Sequence, residues 1–171
     1  GPIGQWIAVK RPDLVQGLVL SCTLHRSNPA TSAVIEEWLG MIERKNWAGF
    51  TWSSIAHTFR PKTVQRYRLL KPILGLASPP PRDPARITHV LRELLDFDHS
   101  ALLARIACPT LVIGGEDDQV IPAQIQAEMA GLIAGSRLRL YPGYGHGNDQ
   151  ENPAYEMEVR WFMLDLMKER V

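Results

Sequence analysis

The strongest pattern in the chain is a set of short apolar runs, each followed by a polar turn. "VQGLVLSC" (15–22) follows a Pro-Asp turn, and "PTLVIGG" (109–115) holds Leu111, Val112 and Ile113 in succession. Consecutive apolar residues predict strands covered on both faces, as in a parallel sheet between helices. "SRLRLYPG" (136–143) instead alternates Leu138 and Leu140 with Arg137 and Arg139, which predicts a half-exposed strand near a sheet edge. Helical periodicity surrounds these runs. Ile3, Trp6 and Ile7 share one face of an opening helix that Pro12 ends. Ile125, Met129, Leu132 and Ile133 form a stripe after Pro122, placed as the first helical residue, and Gly135 stops that helix. Asn152-Pro153 starts a last helix whose buried face is Tyr155, Val159, Phe162, Met163 and Leu166.

Between the first and second strands no strand pattern appears. "TSAVIEEWLGMI" (31–42) puts Val34, Ile35, Trp38, Leu39 and Ile42 on one face. "KTVQRYRLLKPILGL" (62–76) reads as helical up to Pro72, expected to kink or break it. "SPPPRDP" (78–84) is a stiff linker, and Asp83-Pro84 begins a helix carrying Ile87, Val90, Leu91 and Leu94. The division expected is core α/β segments at 1–27 and 99–171, with a helical, lid-like insertion at 28–98. Strand–helix–strand–helix order argues for an α/β fold with right-handed crossovers. In such sheets ligands bind at the carboxyl ends of the strands, and a lid lies above them.

Composition changes this picture little. The 171 residues are 45% hydrophobic and 22% charged with a net charge of +1. That balance gives no case for nucleic acid or an anionic membrane surface as partner. The basic run "RPKTVQRYRLLK" (60–71) spreads around a solvated helix face. No apolar run approaches the roughly 20 residues of a membrane span. The chain opens without methionine or leader, and its two cysteines, Cys22 and Cys108, lack metal or redox spacing. A reducing, cytoplasmic setting is expected. Gly1-Pro2 reads equally as native sequence or as the scar of a removed tag.

The candidate chemistry sits in two loops. "LVIGGEDDQVIP" (111–122) ends one strand in acids, and "LYPGYGHGNDQENP" (140–153) ends the next in a glycine-flanked histidine. Neighbouring parallel strands lie about 5 Å apart, so a carboxylate from one loop reaches an imidazole in the other. Such a pair fixes the imidazole tautomer and lets the histidine serve as general base toward a nucleophile.

These stretches, with "RPDLVQGLVLSCT" (11–23), resemble the later part of an α/β-hydrolase-fold enzyme. The group resembled is that of lid-bearing esterases, enol-lactonases and cofactor-free haloperoxidase-like proteins. The likeness implies Asp118 as the acid, three positions after Gly115, with Asp117 pointing elsewhere and Glu116 a weaker competitor. It implies His146 as the base, and no metal or organic cofactor. It places Trp38, Trp52, His25 and His57 as candidates to line a pocket for a small acyl substrate, with Trp47 and Phe50 nearby.

The family's serine sits in G-x-S-x-G on a strand-to-helix turn. No such motif occurs in these residues, and Ser21, Ser27, Ser53, Ser54 and Cys22 lack its context. The nucleophile is therefore unknown, and the resemblance implies that it precedes Gly1. Ester or lactone hydrolysis is expected, with perhydrolysis or carbon–carbon cleavage open on the same triad, and a non-catalytic scaffold as the alternative. The strand Val15 to Cys22 would then carry an unpaired edge, expected to meet a complementary N-terminal chain or a second copy.

Overall fold

The structure is a computed structural model that describes residues 1–73 and 78–168. Three parallel strands form its sheet: β1 (Leu18–Ser21), β2 (Thr110–Gly115) and β3 (Arg137–Tyr141), in the order β1-β2-β3. The register pairs Leu20 with Val112 and Ile113 with Arg139, so all three carboxyl ends open on the same side. β1 is shorter than the apolar run that announces it. Cys22, one residue past its end, has a left-handed φ of 42° that turns the chain out of the ladder.

Helices cover both faces. Leu111, Val112 and Ile113 are each fully buried, as three apolar residues in a row require when both faces are packed. Val112 joins Leu18 and Leu20 in a cluster with Ala8 of α1 (Pro2–Lys10), with Leu103 of α6 (Ser100–Leu103), and with Met129 of α7 (Ala123–Leu132). Leu111 and Ile113 point the other way, against Phe162 of the last helix, α9 (Pro153–Lys168). Each such side chain contributes about 1.5–3 kcal/mol by leaving water. β3 is an edge strand, as the alternation predicts: Arg137 and Arg139 are exposed and pair with Asp165 and Glu158 of α9 at 2.9 Å each.

Between β1 and β2 lie helices: α2 (Pro29–Glu43), α3 (Trp47–Thr58), α4 (Pro61–Arg68), α5 (Pro84–Glu93) and the short α6. α4 ends at Arg68, before Pro72, and residues 71–73 are helical again with Pro72 among them, so the break falls ahead of the proline; residues 74–76 of that run lie outside the described residues. The entry and exit of this excursion are stitched together. Ser27 N–H donates to Phe97 O at 2.7 Å, His99 N–H to His25 O at 2.6 Å, and Arg26 bridges Asp98. Asn28 caps α2 by accepting from Thr31 N–H, and Thr31 Oγ1 donates to Val120 O at 2.6 Å. Trp38, Leu94 and Phe97 then pack on Leu24, Val120, Ile121 and Ile125 of the core.

Several faces differ from the periodicity. α1 buries Gln5 and Ala8, while Ile3 (76% exposed) and Trp6 (49%) face outward. Gln5 spans the interior, donating from Nε2 to Leu24 O at 2.9 Å with Oε1 at 3.2 Å from His99 Nδ1. A polar residue with both ends paired is as buried as an apolar one, and apolarity alone misassigns the face. Leu132, Val90 and Met163 are likewise exposed, each at the rim of its stripe. Pro122 is the cap of α7 and not its first residue: its ψ of 141° is extended. α7 ends at Leu132, three residues before Gly135 takes its left-handed φ of 70°.

Candidate active site

The acid loop leaves β2 at Gly115, where the backbone crosses the histidine loop very closely. A Cβ on Gly115 would lie 2.0 Å from Tyr144 O, so only glycine fits. Two backbone hydrogen bonds join the loops: Glu116 N–H to Tyr141 O at 3.0 Å and Asp117 N–H to Tyr144 O at 2.9 Å. Glu116 and Asp117 are exposed, whereas the Asp118 side chain is fully buried. Asp118 Oδ1 accepts from the N–H groups of Val120 and Ile121, both at 2.8 Å. Its Oδ2 lies 3.0 Å from His146 Nδ1.

That last contact sets the tautomer. Every lone pair on the carboxylate accepts, so Nδ1 carries the proton and the Nε2 lone pair remains for proton abstraction. The His146 side chain is 30% exposed, buried on the Asp118 side and open on another. Of the three glycines around it, only Gly143 has a left-handed φ, 76°. Gly147 is closely packed: its N–H donates to Thr58 O at 2.7 Å, and a Cβ would meet the same oxygen at a tight 3.1 Å.

Thr58 ends α3, so the helical excursion touches the histidine loop directly. The contact continues in Glu151, whose side chain is 7% exposed and accepts from Arg60 N–H and Thr63 Oγ1. The Arg60 guanidinium pairs with the same carboxylate at 3.3 Å and lies over the Tyr144 ring at 4.6 Å. Sequence reasoning missed this latch, because Glu151 and Arg60 are 91 residues apart and nothing in the two stretches that hold them signals their pairing.

The pocket candidates separate. Trp38 is half-buried: its Nε1 donates to Ser53 Oγ at 3.0 Å and its ring meets Phe50 edge-on at 6.1 Å. Trp52 and His57 line a cavity of about 900 Å³ with Glu37, Met41, Arg68 and Lys71, and the Lys71 ammonium lies 5.0 Å over the Trp52 ring. His57 also borders a second cavity of about 440 Å³ with Phe59, Arg60, Asp118 and Gly145. Its Nε2 is 3.4 Å from Glu37 Oε2. His25 is elsewhere. It is 1% exposed with Nδ1 unpartnered, and burial, with the Arg26 charge next, holds its pKa below the ordinary histidine value. It is an interior residue.

Cys22 is the residue that sequence reasoning undervalued. Its Sγ, a carboxylate oxygen of Asp118 and a ring nitrogen of His146 lie within 4.8 Å of one another. Burial, with the Asp118 charge next, pushes the thiol up to about 11, so it is not an activated thiolate nucleophile at neutral pH. The one sequence signal was its place at the carboxyl end of the strand beside the acid strand.

With this geometry in hand, known proteins fall into a consistent set. No family model matches the chain. The RutD protein of Stutzerimonas stutzeri (strain A1501), described as a carbamate hydrolase, is 27% identical over 151 residues, which are 86% of this chain and 56% of that protein. A non-heme haloperoxidase of Rhodococcus erythropolis is 38% identical over 58 residues, 33% of this chain and 21% of that protein. The chain thus spans little more than half the length of RutD and about a fifth of the haloperoxidase.

Among solved structures, a hydrolase from Pseudomonas aeruginosa PA01 superposes with a TM-score of 0.75 at 29% identity, covering 94% of this chain and 60% of the other. The deep-sea metagenome α/β hydrolase MGS-M2 gives 0.79 at 20% identity, over 95% and 61%. The enol-lactonase of Burkholderia xenovorans LB400 gives 0.78 at 18% identity, over 94% and 61%. The chain is thus similar to α/β hydrolases, and its fold matches the later half of theirs.

Proposed function

We propose that this chain supplies the acid, the base and a helical lid of a hydrolase that cleaves esters, lactones or similar acyl compounds. The observation that carries the reading is the 3.0 Å contact between His146 Nδ1 and buried Asp118 at adjacent strand ends. In this reading a serine attacks the acyl carbon, His146 Nε2 takes its proton and later protonates the leaving group, and Asp118 holds the imidazole and stabilises its charged form. The serine comes from a nucleophile elbow N-terminal to Gly1. Two observations support that placement: the 171 residues hold no G-x-S-x-G, and among the described residues β1 has no partner on its outer side. That edge supports a companion, either the polypeptide carrying the elbow or a second copy of this chain. The lid is the segment 28–98, whose α3 end sits on the histidine loop, and its cavity at Trp52 and His57 receives the acyl or alcohol portion.

The test is hydrolysis of p-nitrophenyl acetate and of a lactone panel. The chain is assayed alone and joined to the segment encoded upstream of Gly1. Activity is expected only in the joined protein and is expected to fall at least about a thousandfold in His146→Ala, the range of triad removal. Activity that survives His146→Ala and Asp118→Asn overturns the assignment. Light scattering tests the edge: a monomer at all concentrations in both forms excludes the second copy.

A further inference from the structure

The hydrolytic reading leaves Cys22 without a role, although its backbone is unusual and its position is not neutral. It is one of two non-glycine residues with a positive φ among the described residues, 42°, a conformation that costs about 1 kcal/mol or more for a residue with a Cβ. The turn sets a soft sulfur donor beside a buried carboxylate and a partly exposed imidazole. All three ligand atoms lie within 4.8 Å of one another. Sulfur, nitrogen and oxygen from three side chains are the donor set of tetrahedral zinc with one open position. The donors are held by different elements: β1's end carries the thiol, the acid loop the carboxylate and the histidine loop the imidazole. The acid and histidine loops are fixed to each other by backbone hydrogen bonds, so the donors are held close before any ion arrives.

We propose that Cys22, Asp118 and His146 form a capture site for a thiophilic divalent cation, Zn²⁺ or Cd²⁺, that reversibly locks the histidine. The cation replaces the imidazole–carboxylate hydrogen bond with two coordinate bonds and adds a third to sulfur. The thiol proton passes to water; where Nδ1 is the ligand, the ring proton moves to Nε2 and the imidazole stays neutral. No electron is transferred, and a chelator reverses the step. A locked imidazole has one nitrogen on the metal and a proton on the other, so it has no lone pair left to act as a base, and the occupied state is inactive. The site rests on the dyad geometry and not on the hydrolytic reading, since it requires no nucleophile and no substrate.

The probe is the metal itself, added to the chain in a Cys108→Ser background. Cd²⁺ is expected to give a thiolate-to-metal charge-transfer band that saturates at one equivalent and disappears in Cys22→Ser. Zn²⁺ affinity, measured by competition with a chromophoric chelator, is expected to fall at least about tenfold in Cys22→Ser and in His146→Ala. A measurement without mutation guards against misfolded variants: Zn²⁺ is expected to slow alkylation of Cys22 in the unaltered chain, and chelator to restore it. A band that persists in Cys22→Ser, Zn²⁺ affinity unchanged in His146→Ala, or alkylation indifferent to Zn²⁺ overturns the site. None of these readouts is hydrolysis, so a failed metal site leaves the acid–base assignment standing, and a failed hydrolase assay leaves the metal site standing.

Discussion

Gly115→Ala tests how tightly the two active loops are held. The added Cβ would fall 2.0 Å from Tyr144 O, 2.4 Å from Tyr144 C and 2.6 Å from Gly145 O. All three are backbone atoms, and no rotamer change relieves the clash. A carbon–oxygen contact needs about 3 Å or more, so the histidine loop must retreat by about 1 Å. His146 is one residue from the displaced segment, and its bond to Asp118 starts at 3.0 Å. A shift of that size carries it beyond about 3.5 Å, where a hydrogen bond no longer exists. The Asp117 N–H to Tyr144 O bond is lost with it. Overpacking costs about 1–3 kcal/mol and the two lost bonds about 1 kcal/mol each, giving a destabilisation of about 3–5 kcal/mol. Urea unfolding measures this, and proton NMR reads the deshielded His146 Nδ1 proton, expected to vanish or move upfield. Gly131→Ala is the internal control. Gly131 is an exposed position of α7 whose Cβ would meet nothing within 4 Å, and the helix gains about 0.5–1 kcal/mol. Wild-type stability with an unshifted Nδ1 resonance in Gly115→Ala would refute the reasoning.

Three further outcomes are expected. Cys22 should react with iodoacetamide at neutral pH about a hundredfold more slowly than an unperturbed thiol, because a pKa near 11 leaves about two orders of magnitude less thiolate; mass mapping of labelled peptides checks this. His25 and His99 both titrate below the ordinary histidine value because they are buried. The unfolded chain therefore takes up protons first on acidification, so stability is full above about pH 6.5 and declines as pH falls through the lowered values; His25→Asn should flatten the slope in pH-dependent urea melts. Glu151→Gln weakens the latch on Arg60 and Thr63, costs about 1–3 kcal/mol, and should raise hydrogen exchange at Gly147 N–H, whereas no change at that amide would uncouple the latch from the histidine loop.

The parts of this molecule that were legible in sequence are those where one local rule decides. Leu111, Val112 and Ile113 announce a strand covered on both faces, and Asp118 and His146 stand at fixed offsets from glycines that the loop crossing requires. Asp118 was separable from Asp117 only through the family resemblance; the structure adds the physical reason, two backbone N–H groups and an imidazole converging on one carboxylate. What stayed hidden depends on pairing across long separations. Gln5 is buried because Leu24 and His99 meet both ends of its amide, which apolar periodicity cannot register. Cys22 gains its position from a left-handed turn that no residue type signals, and His25 reads as a pocket residue until its burial is seen.

The stitching of residues 25–27 to residues 97–99 has a consequence for how such a chain diversifies. Because the excursion leaves and re-enters the core through one hydrogen-bonded neck, its contents do not set the spacing of β1 and β2. Helices within it can be lengthened, shortened or exchanged while the sheet keeps its register, as loop length itself adds little entropic cost. Two constraints survive such change: the carbonyl of Thr58 and the guanidinium of Arg60 must still land on the histidine loop, and Trp38, Leu94 and Phe97 must still pack on the core. Variation in this lineage should therefore be free in length from residue 64 to residue 93 and bound in position at 58–63 and 94–97, a pattern that comparison of related genes would read directly.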